Sequence, residues 1–235
     1  MFLAILREMF MVPSRIALLF ISRSAGSEGR AKQWLGRGRG AANAAIAELL
    51  IERARMSIAR AGLDIVYIDE AQQRGECFGS RLANAFVDVF AMGYTAVVAV
   101  GNDSPRLVAT DWEAVTAVLA RGESVLGPTL RGGAYLIGLQ AHAFDAMTFA
   151  SLPWQSNALY DHLIAWLSGQ LPYELPALRD LNTLHDLQIA ARADSTAFAK
   201  RLKSMLVPTP CLPSALTWVA YQDAWRLPVR PPPTL

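Results

Sequence analysis

The stretch VVAVGNDSP, Val97 to Pro105, climbs through β-branched apolar residues to a glycine and then delivers Asn102, Asp103 and Ser104. In open α/β sheets, ligands bind in the crevice beyond the carboxyl ends of the strands. A carboxylate at that place suits a hard divalent cation, since magnesium is typically held by one or two carboxylates plus phosphate oxygens. Asn102, Asp103, Ser104 and Pro105 each also favour turns, so spacing alone leaves a metal ligand and a plain turn both open. The segment RSAGSEGRAKQWLGRGRG carries Arg23, Arg30, Lys32, Arg37 and Arg39 among small residues and leads into a helix start. Backbone amides and cations there suit a phosphate or pyrophosphate. The segment is neither a Walker loop nor a dinucleotide fingerprint, and a solvated connection is the other reading of it. Gly127, Pro128, Gly132 and Gly133 in LGPTLRGGAYLIGL permit either close approach of a ligand to the backbone or an ordinary tight turn. His142, His162 and His185 lack metal-ligand spacing and a Ser or Cys partner, which gives a hydrolase triad no support.

The elements that must position these residues are visible as apolar periodicity. RIALLFIS (15–22) is a buried strand, and residues 23–40 form a loop that ends in a helix from Ala41 to about Ala61, with Gly62 as its stop. LDIVYID is a second strand, RLANAFVDVFAMGY a helix closed by Gly93, and TAVVAVG a third strand. DWEAVTAVLARG is the next helix, and ESVLGPT and GAYLIGL are two further strands. Strands apolar on both faces, alternating with helices, indicate an α/β fold with a mostly parallel sheet covered on both sides. SNALYDHLIAWLSG is amphipathic, LPYELPALRDL is extended, and residues 183–206 read as one closing helix that starts with a Thr183 and Asp186 capping box. Trp154, Trp166 and Tyr135 read as core or interface residues, Trp154 having stacking on a sugar as its other reading.

At 235 residues with 53% hydrophobic composition, the chain suffices for one domain with a substantial core. We expect an extension over 1–14, the domain over 15–206 and a proline-rich tail over 207–235, where Pro208, Pro210, Pro213, Pro228 and Pro231 oppose regular structure. A net charge of +2 without a dense basic stripe argues against nucleic acid as a partner. Cys77 and Cys211 make neither a disulfide framework nor a zinc motif, in keeping with a reducing cytoplasm. Arg7, Glu8 and Arg15 interrupt the apolar N-terminal runs before they reach the ~20 residues that span a bilayer, so no transmembrane segment is expected.

Five stretches in register resemble a bacterial family of uncharacterised proteins classed with glycosyltransferases of the glycosyltransferase A fold, relatives of nucleotide-diphospho-sugar transferases and nucleotidyltransferases. They are QRGECFGSR (with Gln73, Gly75, Gly79 and Arg81), GNDSPRL, GPTLRGGAYLIGL, LPWQS and LRDLNTLHDL, and the resemblance runs from about Arg15 to Arg192. It implies a three-layer sandwich with a mostly parallel mixed central sheet. It also implies a nucleotide at the strand ends, with Mg2+ or Mn2+ held by Asp103 and completed by Asn182 or Asp180. Arg23, Lys32, Gln73, Gly75, Arg81, Arg131, Gly132 and Gly133 would then bind the nucleotide and its phosphates. The activity implied is transfer of a glycosyl group from a nucleotide sugar to an unknown acceptor. The alternatives are transfer of a nucleotidyl group from a nucleoside triphosphate, or a degenerate non-catalytic nucleotide binder.

The chain departs from the family pattern in places that bear on that choice. Gln33 and Trp34 stand where the family has Thr-Arg, which removes a phosphate-directed cation. Arg131-Gly132-Gly133 replaces Asp-Gly-Gly, exchanging an anion for a guanidinium suited to bidentate phosphate binding. Asp180-Leu181-Asn182-Thr183 replaces Asp-x-Asp-Thr. Both a divergent specificity and a lost activity are compatible with these changes.

Overall fold

A computed structural model describes residues 14–207 except 168, 170 and 194. The expected N-terminal extension lies outside the described residues but for Ser14, and the expected tail lies outside them but for Val207. The strands are β1 (Ile16–Ile21), β2 (Asp64–Ile68), β3 (Ala96–Val100), β4 (Val125–Pro128), β5 (Ala134–Gln140) and β6 (Tyr173–Glu174). The helices are α1 (Ala25–Lys32), α2 (Gly40–Ile58), α3 (Phe78–Ala91), α4 (Trp112–Ala120), α5 (Ala146–Ser151), α6 (Leu159–Trp166), α7 (Leu184–Arg192) and α8 (Ala197–Leu206). The sheet order is β2-β1-β3-β5-β4-β6. β1 pairs in parallel with β2 and β3, and β4 with β6, while β5 runs antiparallel to both its neighbours. The sheet is therefore mixed and mostly parallel, as expected, and β1, β3 and β4 all end at one edge.

Alternation along the strands divides the core. Leu18, Phe20, Val98 and Val100 meet α2 and α4 on one face. Ala17, Leu19, Val97 and Ala99 meet α3, α5 and α6 on the other, around Phe86 and Phe149. A smaller cluster outside this sandwich joins α2 to α7 and α8 through Trp34, Leu50, Leu181, Leu187, Phe198 and Leu202. Full burial of each such side chain contributes about 1.5–3 kcal/mol, so this cluster is enough to hold the C-terminal segment on the domain.

The structure departs from the sequence expectations in two elements. Residues 25–32, expected as loop, form α1, because the Ser24 side chain accepts a hydrogen bond from the Ser27 amide and caps it. Gly26 and Gly29 hide that helix from propensity, yet Gly29 is required: a Cβ there would lie 2.6 Å from the Ala44 amide nitrogen of α2. The single closing helix is instead the pair α7 and α8, because Thr196 starts a new helix by accepting from the Ala199 amide at 3.3 Å. Among the described residues, no helix is long and apolar enough to cross a membrane.

Candidate functional site

A cleft of about 970 Å³ opens at the carboxyl ends of β1 and β3 and beside the β4–β5 hairpin. That volume is at the upper end of the range for small-molecule sites. Arg23, Lys32, Gln73, Arg81, Asp103 and Asn182 line it, and so do Arg131, Gly133 and Asp180. The expected binding residues thus come together from five separate stretches of chain. Gly75 and Gly132 do not line the cleft. A Cβ on Gly75 would sit 2.9 Å from the Arg81 amide nitrogen, and one on Gly132 would strike the Asn157 carbonyl, so both glycines are there for backbone packing.

Lys32, on the last turn of α1, is the hub. Its ammonium donates to Asp103 Oδ2 at 3.2 Å and to Asn182 Oδ1, and lies 3.9 Å from Glu28 one turn earlier. Asn182 in turn donates its amide to Asp180 Oδ2. Asp103 Oδ1 and Asp180 Oδ1 are shielded from solvent and have no hydrogen-bond partner. Asn102 and Ser104, buried beside Asp103, likewise keep an unpaired Nδ2 and Oγ. Glu28 is 4% exposed and bonds Arg23 at 3.2 Å. Burial raises its carboxyl above the ordinary range and the charge of Asp103 adds to this, partly offset by Lys32 and Arg23. Three carboxyl groups therefore face two cations in this part of the cleft.

The acidic loop reaches this place along the sheet edge. β6 and a single parallel bridge between Thr129 and Leu178 lay the chain beside β4, which brings Asp180 and Asn182 to the strand ends. Leu181 then locks them: its amide donates to the Asp103 carbonyl at 2.9 Å, and its own carbonyl accepts from the Trp34 indole at 2.9 Å. Trp34 is thus a buried brace. Arg131 has an analogous place. Its guanidinium makes a bidentate pair with Asp186 at 2.9 and 2.7 Å, and Asp186 also bonds Thr183 and the Asn182 amide. Burial alone would raise the fully buried Asp186 carboxyl, but the hydrogen bonds from Arg131 and Thr183 outweigh it and hold it down at about 2.

The remaining wall is mixed. Gln73 donates to the Ser22 carbonyl at 3.0 Å, which ties the QRG stretch to the end of β1. Cys77 caps α3, and the Ser80 hydroxyl and amide lower its thiol below the ordinary range. Burial pushes the Tyr135 phenol up to about 12. Trp154 borders the cleft but packs edge-on to Phe78 and Phe149 and donates its indole N–H to the Phe149 carbonyl at 2.8 Å, so its structural reading is the one observed. Sequence reasoning missed Glu28, the bracing by Trp34 and the breadth of the Asp186 network. An acid four residues before Lys32 on one helical face was the available signal for Glu28. The other two depend on partners about 55 and 147 residues away.

Residues 44–156 match the model of a family described as "Uncharacterized protein conserved in bacteria (DUF2064)". Over those residues the chain carries this bacterial family's pattern. The matched stretch contains Gln73, Arg81, Asp103 and Arg131 and ends before Asp180 and Asn182. No curated protein matches the chain. Among solved structures, a "putative nucleotide-diphospho-sugar transferase" from Desulfovibrio desulfuricans G20 superposes with a TM-score of 0.70 at 21% identity, covering 82% of this chain and 97% of that one. Rv0371c from Mycobacterium tuberculosis H37Rv, in complex with manganese, gives 0.42 at 17% identity over 74% and 97% of the two chains. A cytidylyltransferase from Leptospira borgpetersenii gives 0.43 at 11% identity over 92% and 99%. The first likeness shows that this chain shares the fold of that protein. The other two are too distant in shape to add to it.

Proposed function

We propose that the protein transfers a glycosyl group from a nucleotide diphosphate sugar, assisted by magnesium or manganese. The observation that carries this reading is the Lys32, Asp103, Asn182 and Asp180 cluster at the strand ends, inside a cleft large enough for a nucleotide. Asp103 Oδ1 and Asp180 Oδ1, unpaired and withdrawn from water, are hard donors of the kind these ions take. Among the described residues no three His, Cys, Asp or Glu side chains gather into a closed cage. That fits an ion whose remaining ligands are water and substrate phosphate. When bound, such an ion neutralises charge on a leaving diphosphate.

The chain's own residues have distinct parts in this reading. Arg23, Lys32 and Arg81 would bind the phosphates, and Gln73 would hold the end of β1 in place beside the base. Arg131 is engaged with Asp186 but keeps further N–H donors toward the cleft. The places of Trp34 and Arg131 favour a working site over a degenerate one, because both substitutions brace the acidic loop that the site needs.

The test is thermal unfolding with nucleoside diphosphates and nucleotide sugars, each with manganese, with magnesium and with EDTA. A ligand at ~100 times its Kd adds about 2.7 kcal/mol and raises Tm by several degrees. We expect a metal-dependent rise for one nucleotide class that Asp103→Ala abolishes. A rise of full size in that variant would remove Asp103 from the site. Product analysis then separates the two transfers: a nucleoside diphosphate is released in glycosyl transfer and pyrophosphate in nucleotidyl transfer.

A further inference from the structure

The position of Lys32 is at odds with a simple phosphate-binding role. Its side chain is only 17% exposed, and its ammonium is taken up by Asp103 Oδ2, Asn182 Oδ1 and, more loosely, Glu28. Asp103 is assigned above to the divalent ion, and Asn182 is one of the two residues, with Asp180, expected to complete its site. An ammonium and a divalent cation repel strongly at such range in a partly buried site, so the two cannot share these oxygens. We propose that Lys32 is an exchangeable counter-ion: without ligand it occupies the Asp103 and Asn182 oxygens, and it yields them to the divalent ion while moving onto the incoming diphosphate. This rests on the metal reading of Asp103 and Asn182.

The surroundings of Lys32 suit an exchange. The base of the arm is fixed, since Gly29 packs directly on the backbone of α2 and Ser24 caps the start of α1. The arm itself is a four-carbon stem ending in a compact charge. The resting arrangement is also incomplete, because a single ammonium leaves Asp103 Oδ1 and Asp180 Oδ1 unpaired. A doubly charged ion answers that deficit better, and the released ammonium then has no equivalent carboxylate partner except Glu28. A diphosphate supplies the missing anion. Metal and diphosphate therefore help one another to bind, and by linkage the enhancement is equal in both directions.

The experiment is titration of the full chain with Mn2+, read by the electron paramagnetic resonance signal of the free ion, with and without inorganic pyrophosphate. In the unaltered protein, Mn2+ alone should bind weakly and pyrophosphate should tighten it. In Lys32→Met, Mn2+ alone should bind about tenfold more tightly, because the competing charge is gone, and the pyrophosphate enhancement should largely vanish. Lys32→Gln provides the same comparison if the methionine variant does not fold. Equal or weaker Mn2+ binding in the variants overturns the exchange and leaves the metal reading standing. Absence of Mn2+ binding to every folded protein overturns both.

Discussion

Asp186 shows how one buried carboxylate fixes a site that it does not line. It gathers Arg131, Arg179, Thr183 and the Asn182 amide, so the loop bearing Asp180 and Asn182 takes its shape from this residue. Its carboxyl is held at about 2 in the folded protein, below its ordinary 3.8. A depressed acid contributes stability that is fully present above its unfolded value and is lost as pH falls through the folded one. The contribution is roughly 2–3 kcal/mol, and acid titration of stability should show it disappearing between about pH 4 and pH 2. Asp186→Asn should flatten that limb and, by breaking a buried pair at a cost of about 3 kcal/mol, lower Tm by roughly 10 °C at neutral pH. Trp34 makes the neighbouring contribution. Trp34→Phe keeps the packing but leaves the Leu181 carbonyl unpaired, which should cost about 1–2 kcal/mol in chemical unfolding. Mn2+ binding should weaken in the same variant, because Leu181 separates Asp180 from Asn182.

Helix α1 is the element on which the site turns, and its two glycines make opposite predictions. At Gly29 an added methyl meets the α2 backbone at 2.6 Å. Gly29→Ala should therefore push the helices apart, destabilise the fold by about 1–3 kcal/mol and abolish the nucleotide-dependent rise in Tm by carrying Lys32 away from Asp103. At Gly26 the same methyl meets only the tip of Arg30 at 3.4 Å. Gly26→Ala should raise stability by about 0.5–1 kcal/mol, measured by denaturant midpoint, and leave binding unchanged. These glycines also explain why α1 was illegible in the sequence. Strands β1, β3 and β5 announced themselves as apolar runs, because a strand buried on both faces writes its environment into every residue. α1 exists through a serine cap and a close approach to α2, and neither leaves a periodic mark. The break between α7 and α8 was missed for a related reason: Thr196 reads as a weak helix residue until its side chain is seen to start a new helix.

For the whole molecule, the strand-end edge was legible, since Asp103 follows directly from the third apolar run. What lies opposite Asp103 came only through the family resemblance and not from spacing, because the partners are far apart in the chain: Lys32 meets Asn182 across 150 residues and Trp34 meets Leu181 across 147. Those separations have a consequence for how the protein comes into being. Contacts so distant in sequence form late, after the entropy of closing the intervening chain has been overcome. The β1-β2-β3 sheet can assemble while Asp103 still has neither cation nor acidic loop beside it. The completed cleft then arrives in the final stage of refolding, behind the recovery of secondary structure. On the ribosome it waits for the segment through Leu187 to emerge, so a chain stalled before that point would carry most of the sheet and none of the completed cleft.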